Sequence, residues 1–246
     1  MMGAGWRRWS AATVIALATI VAGEQPAAST PPDIVVIGDS LTAANENLIR
    51  AQVAAGGVTS VEYEALSGRK INKAVTFGDG IRRSSGVEEV QRLRGEGVDP
   101  ALWVVELGTN DIYSLKTCGC ADPIAFAGAL VDTIVAAIGP GEPIAWVTVL
   151  DRSNLEASGW FNRALRRRAA VDPLFILIDW YELGVDHPEW FLDHVHHNLD
   201  GVDAFAGLYL DSFRRLLDNP LDTPLSGRPR AVRAEHDGFD RADVAR

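Results

Sequence analysis

The chain has 246 residues, of which 47% are apolar, and this length favours one α/β domain with a single sizeable core. Acidic residues outnumber basic ones and give a formal net charge of -10. The one dense basic stretch, Arg163 to Arg168, is interpreted as the solvated face of a helix. The composition therefore argues against nucleic acid as a partner.

The first 30 residues have the anatomy of an export signal. Arg7 and Arg8 precede an apolar run from Ala11 to Ala22, and small and polar residues follow through Thr30. An apolar run of about a dozen residues falls short of the roughly 20 that span a bilayer. We therefore predict a signal peptide over 1–30 and a secreted or cell-envelope protein, with a retained membrane anchor as the alternative.

The rest of the chain is expected to hold one folded domain over 31–218 and a flexible tail over 219–246, which is rich in Pro, Arg and Asp. We expect this domain to be a monomer. Cys118 and Cys120 are the only cysteines. In an oxidising compartment they can pair, but the ring would be very small, so the sequence leaves a disulfide and two free thiols open.

Five short apolar runs alternate with helical patterns from Asp33 onward. The runs are Ile34 to Ile37, Val61 to Ala65, Leu102 to Glu106, Ile144 to Val149 and Phe175 to Ile178. The helical patterns cover Leu41 to Ala55, Val87 to Arg94, Pro123 to Ile138, Glu156 to Ala170 and Val202 to Leu217. This succession predicts a parallel five-stranded sheet with helices on both faces, a three-layer α/β/α sandwich. Lys70 to Gly86 is the main long loop candidate and is expected to border a site.

Chemistry-bearing residues follow the predicted strands. Ser40 comes after the first strand in Gly38-Asp39-Ser40-Leu41, where Gly38 is expected to allow a sharp turn. At the start of a helix, Ser40 would place its own N–H where a developing oxyanion is favoured. A serine nucleophile needs a base and an acid that orients it, and Asp193-x-x-His196 can supply both within one turn.

These motifs, together with Gly108-Thr109-Asn110-Asp111 after the third strand, resemble the SGNH, or GDSL-type, hydrolase superfamily over roughly Asp33 to Leu217. The resemblance implies a flavodoxin-like α/β fold and a triad of Ser40, His196 and Asp193. It also implies an oxyanion hole formed by the Ser40 N–H, the Gly68 N–H and the Asn110 side chain. No cofactor is expected.

Each motif has a simpler interpretation. Asp39 or Ser40 could only cap a helix, and Asn110 and Gly68 could be ordinary turn residues. Alternating imidazoles in Asp193-His194-Val195-His196-His197 could instead ligate a metal. The seven Trp residues are expected in core and rim packing.

The combined motifs predict an exported serine esterase that hydrolyses carboxylic esters of the lipid, acyl or O-acetyl kind, because fold and triad define a reaction class and leave the ester open. Transfer of the acyl group to a glycan or lipid hydroxyl is the alternative. A binding protein that keeps the triad without turnover is the third hypothesis.

Overall fold

A computed structural model of the chain describes residues 32–218. The predictions of an export signal over 1–30 and of a tail over 219–246 fall outside the described residues.

The described part of the chain contains a five-stranded parallel sheet in the order β2-β1-β5-β6-β7, and a separate antiparallel hairpin, β3–β4. The strands are β1 (Ile34–Gly38), β2 (Val61–Ala65), β3 (Val75–Thr76), β4 (Arg82–Arg83), β5 (Leu102–Glu106), β6 (Ile144–Val147) and β7 (Phe175–Ile178). All five predicted strands are therefore present, in the strand order of a flavodoxin-like fold. The predicted fold class is confirmed.

Burial on both faces explains why the central strands are continuous apolar runs. Successive side chains of a strand point to opposite faces. Val35 and Ile37 of β1 therefore join one hydrophobic core, whereas Ile34 and Val36 join the other. Both cores are covered by helices, so every residue of β1 and β5 is buried.

Eight helices flank these strands within residues 32–218. They are α1 (Ser40–Ala43), α2 (Glu46–Ala55), α3 (Gly86–Gly95), α4 (Ile112–Thr117), α5 (Pro123–Ile138), α6 (Leu155–Ala169), α7 (Trp180–Gly184) and α8 (Leu199–Asp218). The predicted single helix over Leu41 to Ala55 is wrong in one respect, because it breaks at Ala44 and Asn45, where Asn45 occupies the N-cap of α2. The hairpin β3–β4 likewise lies in the stretch from Lys70 to Gly86 that was predicted as a loop.

The structure also bears on the cysteines, the basic stretch and the possibility of a membrane span. The structure joins Cys118 to Cys120 in a disulfide. Arg166 and Arg168 of the basic stretch lie on the outer side of α6 and pair with surface carboxylates, as predicted for a solvated face. None of the helices between residues 32 and 218 is long and apolar enough to cross a membrane.

Candidate active site

Ser40 lies at the carboxyl end of the central strand β1 and is the first residue of α1. Asp39 caps this short helix, because its Oδ1 accepts the Leu41 N–H at 3.0 Å. Gly38 was expected to permit a sharp turn, but its backbone is not in the left-handed region. A Cβ at Gly38 would instead lie 2.9 Å from the Cβ of Thr42 and 3.3 Å from that of Ala65. Glycine is therefore required by close packing under the serine turn.

The structure brings Ser40, His196 and Asp193 together in one hydrogen-bonded row. Nε2 of His196 lies 3.0 Å from Oγ of Ser40, and Nδ1 of His196 lies 2.8 Å from Oδ2 of Asp193. The two partners of the serine come from the segment between β7 and α8, which is 156 residues away in sequence. This row has the order that a serine nucleophile, a base and an orienting acid require.

Asp193 is held ionised by its own turn. Partial burial alone would raise the pKa of this carboxyl, but the backbone N–H groups of His196 and Val195 lower it, as does the His196 imidazole, and the net shift is downward. Both N–H groups donate to Oδ1 at 2.8 Å, which leaves Oδ2 for the imidazole. A charged Asp193 favours a proton on Nδ1 of His196 and a lone pair on Nε2, facing Ser40.

Asn110 and Gly68 lie on the other side of the serine turn. The Asn110 Nδ2 donates to Oδ2 of Asp39 at 3.0 Å and to the Arg69 carbonyl oxygen at 3.2 Å. An amide nitrogen carries two hydrogens, so an oxyanion would have to replace one of these acceptors. Gly68 has φ +78, and its N–H makes no hydrogen bond within the part of the chain that the structure describes. Both residues therefore lie in the loops next to Ser40.

Two carboxyl groups are buried beneath the serine turn. Oε2 of Glu106 accepts the backbone N–H of Asp39 at 3.0 Å and the hydroxyl of Thr42 at 3.1 Å. Burial raises the pKa of both Asp39 and Glu106, and the Asp39 charge raises the pKa of Glu106 further. Two adjacent buried carboxyl groups resist simultaneous ionisation, so the pair retains a proton more strongly than exposed acids do. Asp39 thus braces the turn.

Glu106 and Arg69 support the site and were missed from the sequence. The buried Arg69 guanidinium donates to Oε2 of Glu89 at 3.1 Å, to the Gly38 carbonyl oxygen at 3.4 Å and to the Glu64 carbonyl oxygen. It thereby ties the loop after β2 to the end of β1. The sequence does contain a sign of the role of Glu106. A charged residue at the end of an apolar strand that is buried on both faces requires hydrogen-bonding partners.

The neighbouring histidines take different positions. His197 is buried against the rings of Trp180 and Phe205, with both ring centroids 4.8 Å away. Burial and, to a smaller extent, the charge of His196 lower the pKa of His197 to about 4. The His194 side chain is exposed. Among residues 32–218, no group of three or more His, Cys, Asp or Glu residues is placed to hold a metal ion.

The tryptophans within residues 32–218 occupy the core and its rim, as predicted. Trp103, Trp146 and Trp180 are fully buried. Trp190 is half-buried and stacks on the His187 ring, with centroids 3.9 Å apart. A sugar ring would have to displace this contact to stack on that face of Trp190.

Comparisons with known proteins bear on the family and the fold of the chain. The sequence profile of the GDSL-like lipase/acylhydrolase family matches residues 34–139, which include Ser40, Gly68 and Asn110. The predicted resemblance to the GDSL-type hydrolases is therefore confirmed. The match to this family indicates an ester-hydrolysing enzyme. The profile match ends before Asp193 and His196. No curated protein matches the chain.

Solved structures with the same fold include the following three enzymes. The C-terminal catalytic domain of Streptococcus pneumoniae peptidoglycan O-acetyltransferase A is 19% identical, with a TM-score of 0.57, and the match covers 79% of this chain and 97% of that domain. The M. smegmatis aryl esterase is 16% identical, with a TM-score of 0.55 and coverage of 75% and 99%. An Enterococcus faecalis lipase/acylhydrolase is 18% identical, with a TM-score of 0.54 and coverage of 74% and 95%. At these identities the likeness extends to the fold alone.

Proposed function

We propose that this GDSL-type enzyme is an exported serine esterase in which Ser40, His196 and Asp193 form the catalytic triad. The observation that supports this most directly is the row of two hydrogen bonds, 3.0 Å from Ser40 Oγ to His196 Nε2 and 2.8 Å from His196 Nδ1 to Asp193 Oδ2. Three side chains from two distant segments are aligned as proton transfer from a serine hydroxyl requires.

The proposed reaction has two halves. Ser40 Oγ attacks the ester carbonyl while its proton passes to Nε2 of His196, and the imidazolium is stabilised by Asp193. When the tetrahedral intermediate collapses, His196 gives this proton to the alcohol oxygen, and the acyl group stays on Ser40. A water molecule then attacks the acyl-enzyme, with His196 again accepting and returning a proton. All steps use side chains of this chain.

The oxyanion is proposed to bind at the start of α1. The Ser40 N–H belongs to the first helical residue, so it lies before the first intrahelical hydrogen bond and remains available. The Gly68 N–H is unused within residues 32–218. Asn110 would exchange its longer contact, 3.2 Å to the Arg69 carbonyl, for the oxyanion while Asp39 keeps its amide oriented.

Acyl transfer is the second candidate. His196 and Asp193 have side chains that are 42% and 51% exposed, so a sugar or lipid hydroxyl can approach the acyl-enzyme as readily as water. A peptidoglycan O-acetyltransferase domain is among the proteins that share the fold, which supports testing a glycan acceptor. Product analysis of an acetyl-ester reaction with and without a peptidoglycan fragment separates the candidates, because transfer yields an acetylated glycan and hydrolysis yields only acetate.

Export is proposed from the sequence of residues 1–30. The disulfide between Cys118 and Cys120 supports it, since disulfides persist in oxidising compartments and are rare in the cytosol. Fractionation of expressing cells tests the proposal. Recovery of the enzyme in the medium or envelope is expected, and exclusive recovery in the cytoplasm contradicts it.

Covalent labelling tests the nucleophile. A fluorophosphonate should modify the wild-type enzyme once, at Ser40, and abolish ester hydrolysis. Ser40→Ala should be unlabelled and inactive, with an unchanged circular dichroism spectrum. Ser153→Ala is the matched control, because Ser153 is a hydroxyl of the β6–α6 loop that bonds to Asp151 and not to the triad. Labelling or full activity of Ser40→Ala would overturn the mechanism and favour the binding-protein hypothesis or another nucleophile.

A further inference from the structure

The hairpin β3–β4 presents an aromatic ring to the loop that contains Gly68. Phe77 directly follows β3, and its side chain is 45% exposed. A Cβ built on Gly68 would lie 2.6 Å from Cε2 and from Cζ of Phe77. The ring therefore packs directly on the backbone of Gly68, and any larger residue there would displace it.

Arg83 and Asp79 of the same hairpin hold this ring in place. The Arg83 guanidinium lies 5.1 Å from the centroid of the Phe77 ring. Arg83 donates to both carboxylate oxygens of Asp79, at 2.8 and 2.6 Å, and to the carbonyl oxygen of Ile81 at 2.8 Å. A bidentate pair fixes the plane of the guanidinium, and the guanidinium in turn restricts the ring that it covers.

We propose that Phe77 is a specificity-determining residue whose ring forms the wall of the acyl subsite and limits the enzyme to short acyl groups. The inference rests on the proposed function, because it takes Gly68 as an oxyanion donor and Ser40 as the nucleophile. The ring contacts the backbone of Gly68 itself, so it stands within a few atoms of the carbonyl carbon of a bound ester. A barrier at that distance meets the first carbons of an acyl chain.

The geometry of the tetrahedral intermediate assigns the ring to the acyl side. Its oxyanion faces the Gly68 loop, and its alcohol oxygen must face Nε2 of His196 to receive a proton. The acyl substituent is held by neither group, so it is the part of the ester that can extend past the Gly68 N–H toward the Phe77 ring. Within residues 32–218, the aromatic and cation contacts of Phe77 involve Arg83 of its own hairpin and none of residues 191–198, which carry His196. Phe77 therefore borders the part of the site away from the leaving alcohol.

An acyl series with a constant leaving group tests the proposal. We expect wild-type kcat/KM to fall from p-nitrophenyl acetate through the butyrate to the octanoate. Phe77→Ala should raise the ratio of octanoate to acetate kcat/KM at least tenfold, and Phe77→Leu, which keeps apolar contact with Gly68, should raise it by less. Ile81→Ala is the matched control, because Ile81 is 59% exposed on the same hairpin and does not contact Gly68. Its ratio should equal that of the wild type.

Several outcomes would overturn the inference. An unchanged or lower octanoate to acetate ratio in both Phe77 variants would do so, as would an equal change in Ile81→Ala. A changed preference among acetate esters of different alcohols, with the acyl ratio constant, would place the ring on the alcohol side. Fluorophosphonate labelling of Ser40 in the same variants separates the two proposals, because retained labelling with an unchanged ratio defeats only the role of Phe77.

Discussion

The two sides of the candidate site differ sharply in burial. The serine turn rests on Asp39 and Glu106, which are 0% and 3% exposed, and each bonds to backbone or side-chain donors of neighbouring elements. The opposite side consists of Asp193 and His196, whose side chains are 51% and 42% exposed and bond to each other, to the backbone of their own turn and to Ser40. The nucleophile therefore stands on a buried support, whereas the base belongs to a surface segment.

Because of this difference in burial, substitutions on the two sides should affect stability and catalysis differently. A change on the surface side removes an interaction that the fold hardly uses, so activity should fall while stability stays. A change on the core side leaves a buried polar group without its partner, so stability and activity should fall together. Substitutions on the two sides can test this distinction.

The largest effect is expected on the surface side, from Asp193→Asn. The amide can still accept the N–H groups of Val195 and His196 through its oxygen, but its nitrogen would donate to Nδ1 of His196. The proton of the imidazole would then lie on Nε2, which can no longer accept one from Ser40, and kcat should fall by about 10⁴-fold.

The free energy of unfolding of Asp193→Asn should fall by no more than about 1 kcal/mol, because the amide oxygen keeps both backbone N–H bonds and loses only the charge that strengthens them. Steady-state kinetics and thermal unfolding measure both quantities. Asp200→Asn removes an exposed carboxylate from the first turn of α8 and serves as the control. A kcat within tenfold of the wild type would remove Asp193 from the triad.

A smaller effect with a different signature is expected for Asn110→Ala, on the core side. Loss of one oxyanion donor lowers kcat by roughly 10² to 10³-fold, or about 2.7 to 4 kcal/mol, and KM should move far less. Asp39 and the Arg69 carbonyl also lose their shared donor, so the free energy of unfolding should fall by about 1 to 3 kcal/mol.

Asn45→Ala is the control for this variant. Asn45 lies at the break between α1 and α2, and within residues 32–218 its amide bonds only to the Leu41 carbonyl. Its kcat should be unchanged. Lower stability of Asn110→Ala with normal kcat would make Asn110 a turn residue and exclude it from the oxyanion hole.

The sequence predicted the strands well because propensity and burial agree there. The bounds of β2, β5, β7 and α5 coincide with the predicted ones. The elements that escaped prediction depend on tertiary contacts. The hairpin β3–β4 has only two residues in each strand, and α4 and α7 have six and five residues, too few for a periodic pattern.

The candidate site divides in the same way. Ser40, Asp193 and His196 lie in short motifs, so their proximity follows from local spacing and from the edge at which parallel strands end. The contacts of Glu106 with Thr42, and of Arg69 with Glu89, join residues 64 and 20 positions apart. These contacts depend on which strands and helices are neighbours in the fold. The residues that support the site could therefore not be recognised until the topology was known.

The smallest expected effect concerns Asp111, on the core side, and it appears as a pH dependence of stability. Oδ2 of Asp111 accepts the Ile71 N–H at 3.1 Å. Burial raises the pKa of Asp111 to about 6, although the Ile71 N–H and the charge of Lys70 oppose the shift. Because an aspartate in the unfolded chain titrates near 3.9, the folded protein holds this proton more tightly. The stabilisation is complete below about pH 4 and is lost as the pH rises through about 6.

Asp111→Asn keeps an oxygen for the Ile71 N–H and cannot titrate. A shift of about two pKa units corresponds to at most about 3 kcal/mol, so the stability of the variant relative to the wild type should rise by up to that amount between pH 4 and pH 7. Urea unfolding at four pH values measures the difference. This difference also contains a change in the titration of Asp39 in the same direction, because the charge of Asp111 contributes to the raised pKa of Asp39. Asp132→Asn, an exposed carboxylate on α5, should give a nearly constant difference. If the difference for Asp111→Asn is constant as well, burial does not disfavour the ionised form of Asp111. The buried and exposed sides of the site would then differ in their packing and hydrogen bonds, but not in the pKa values of their carboxyl groups.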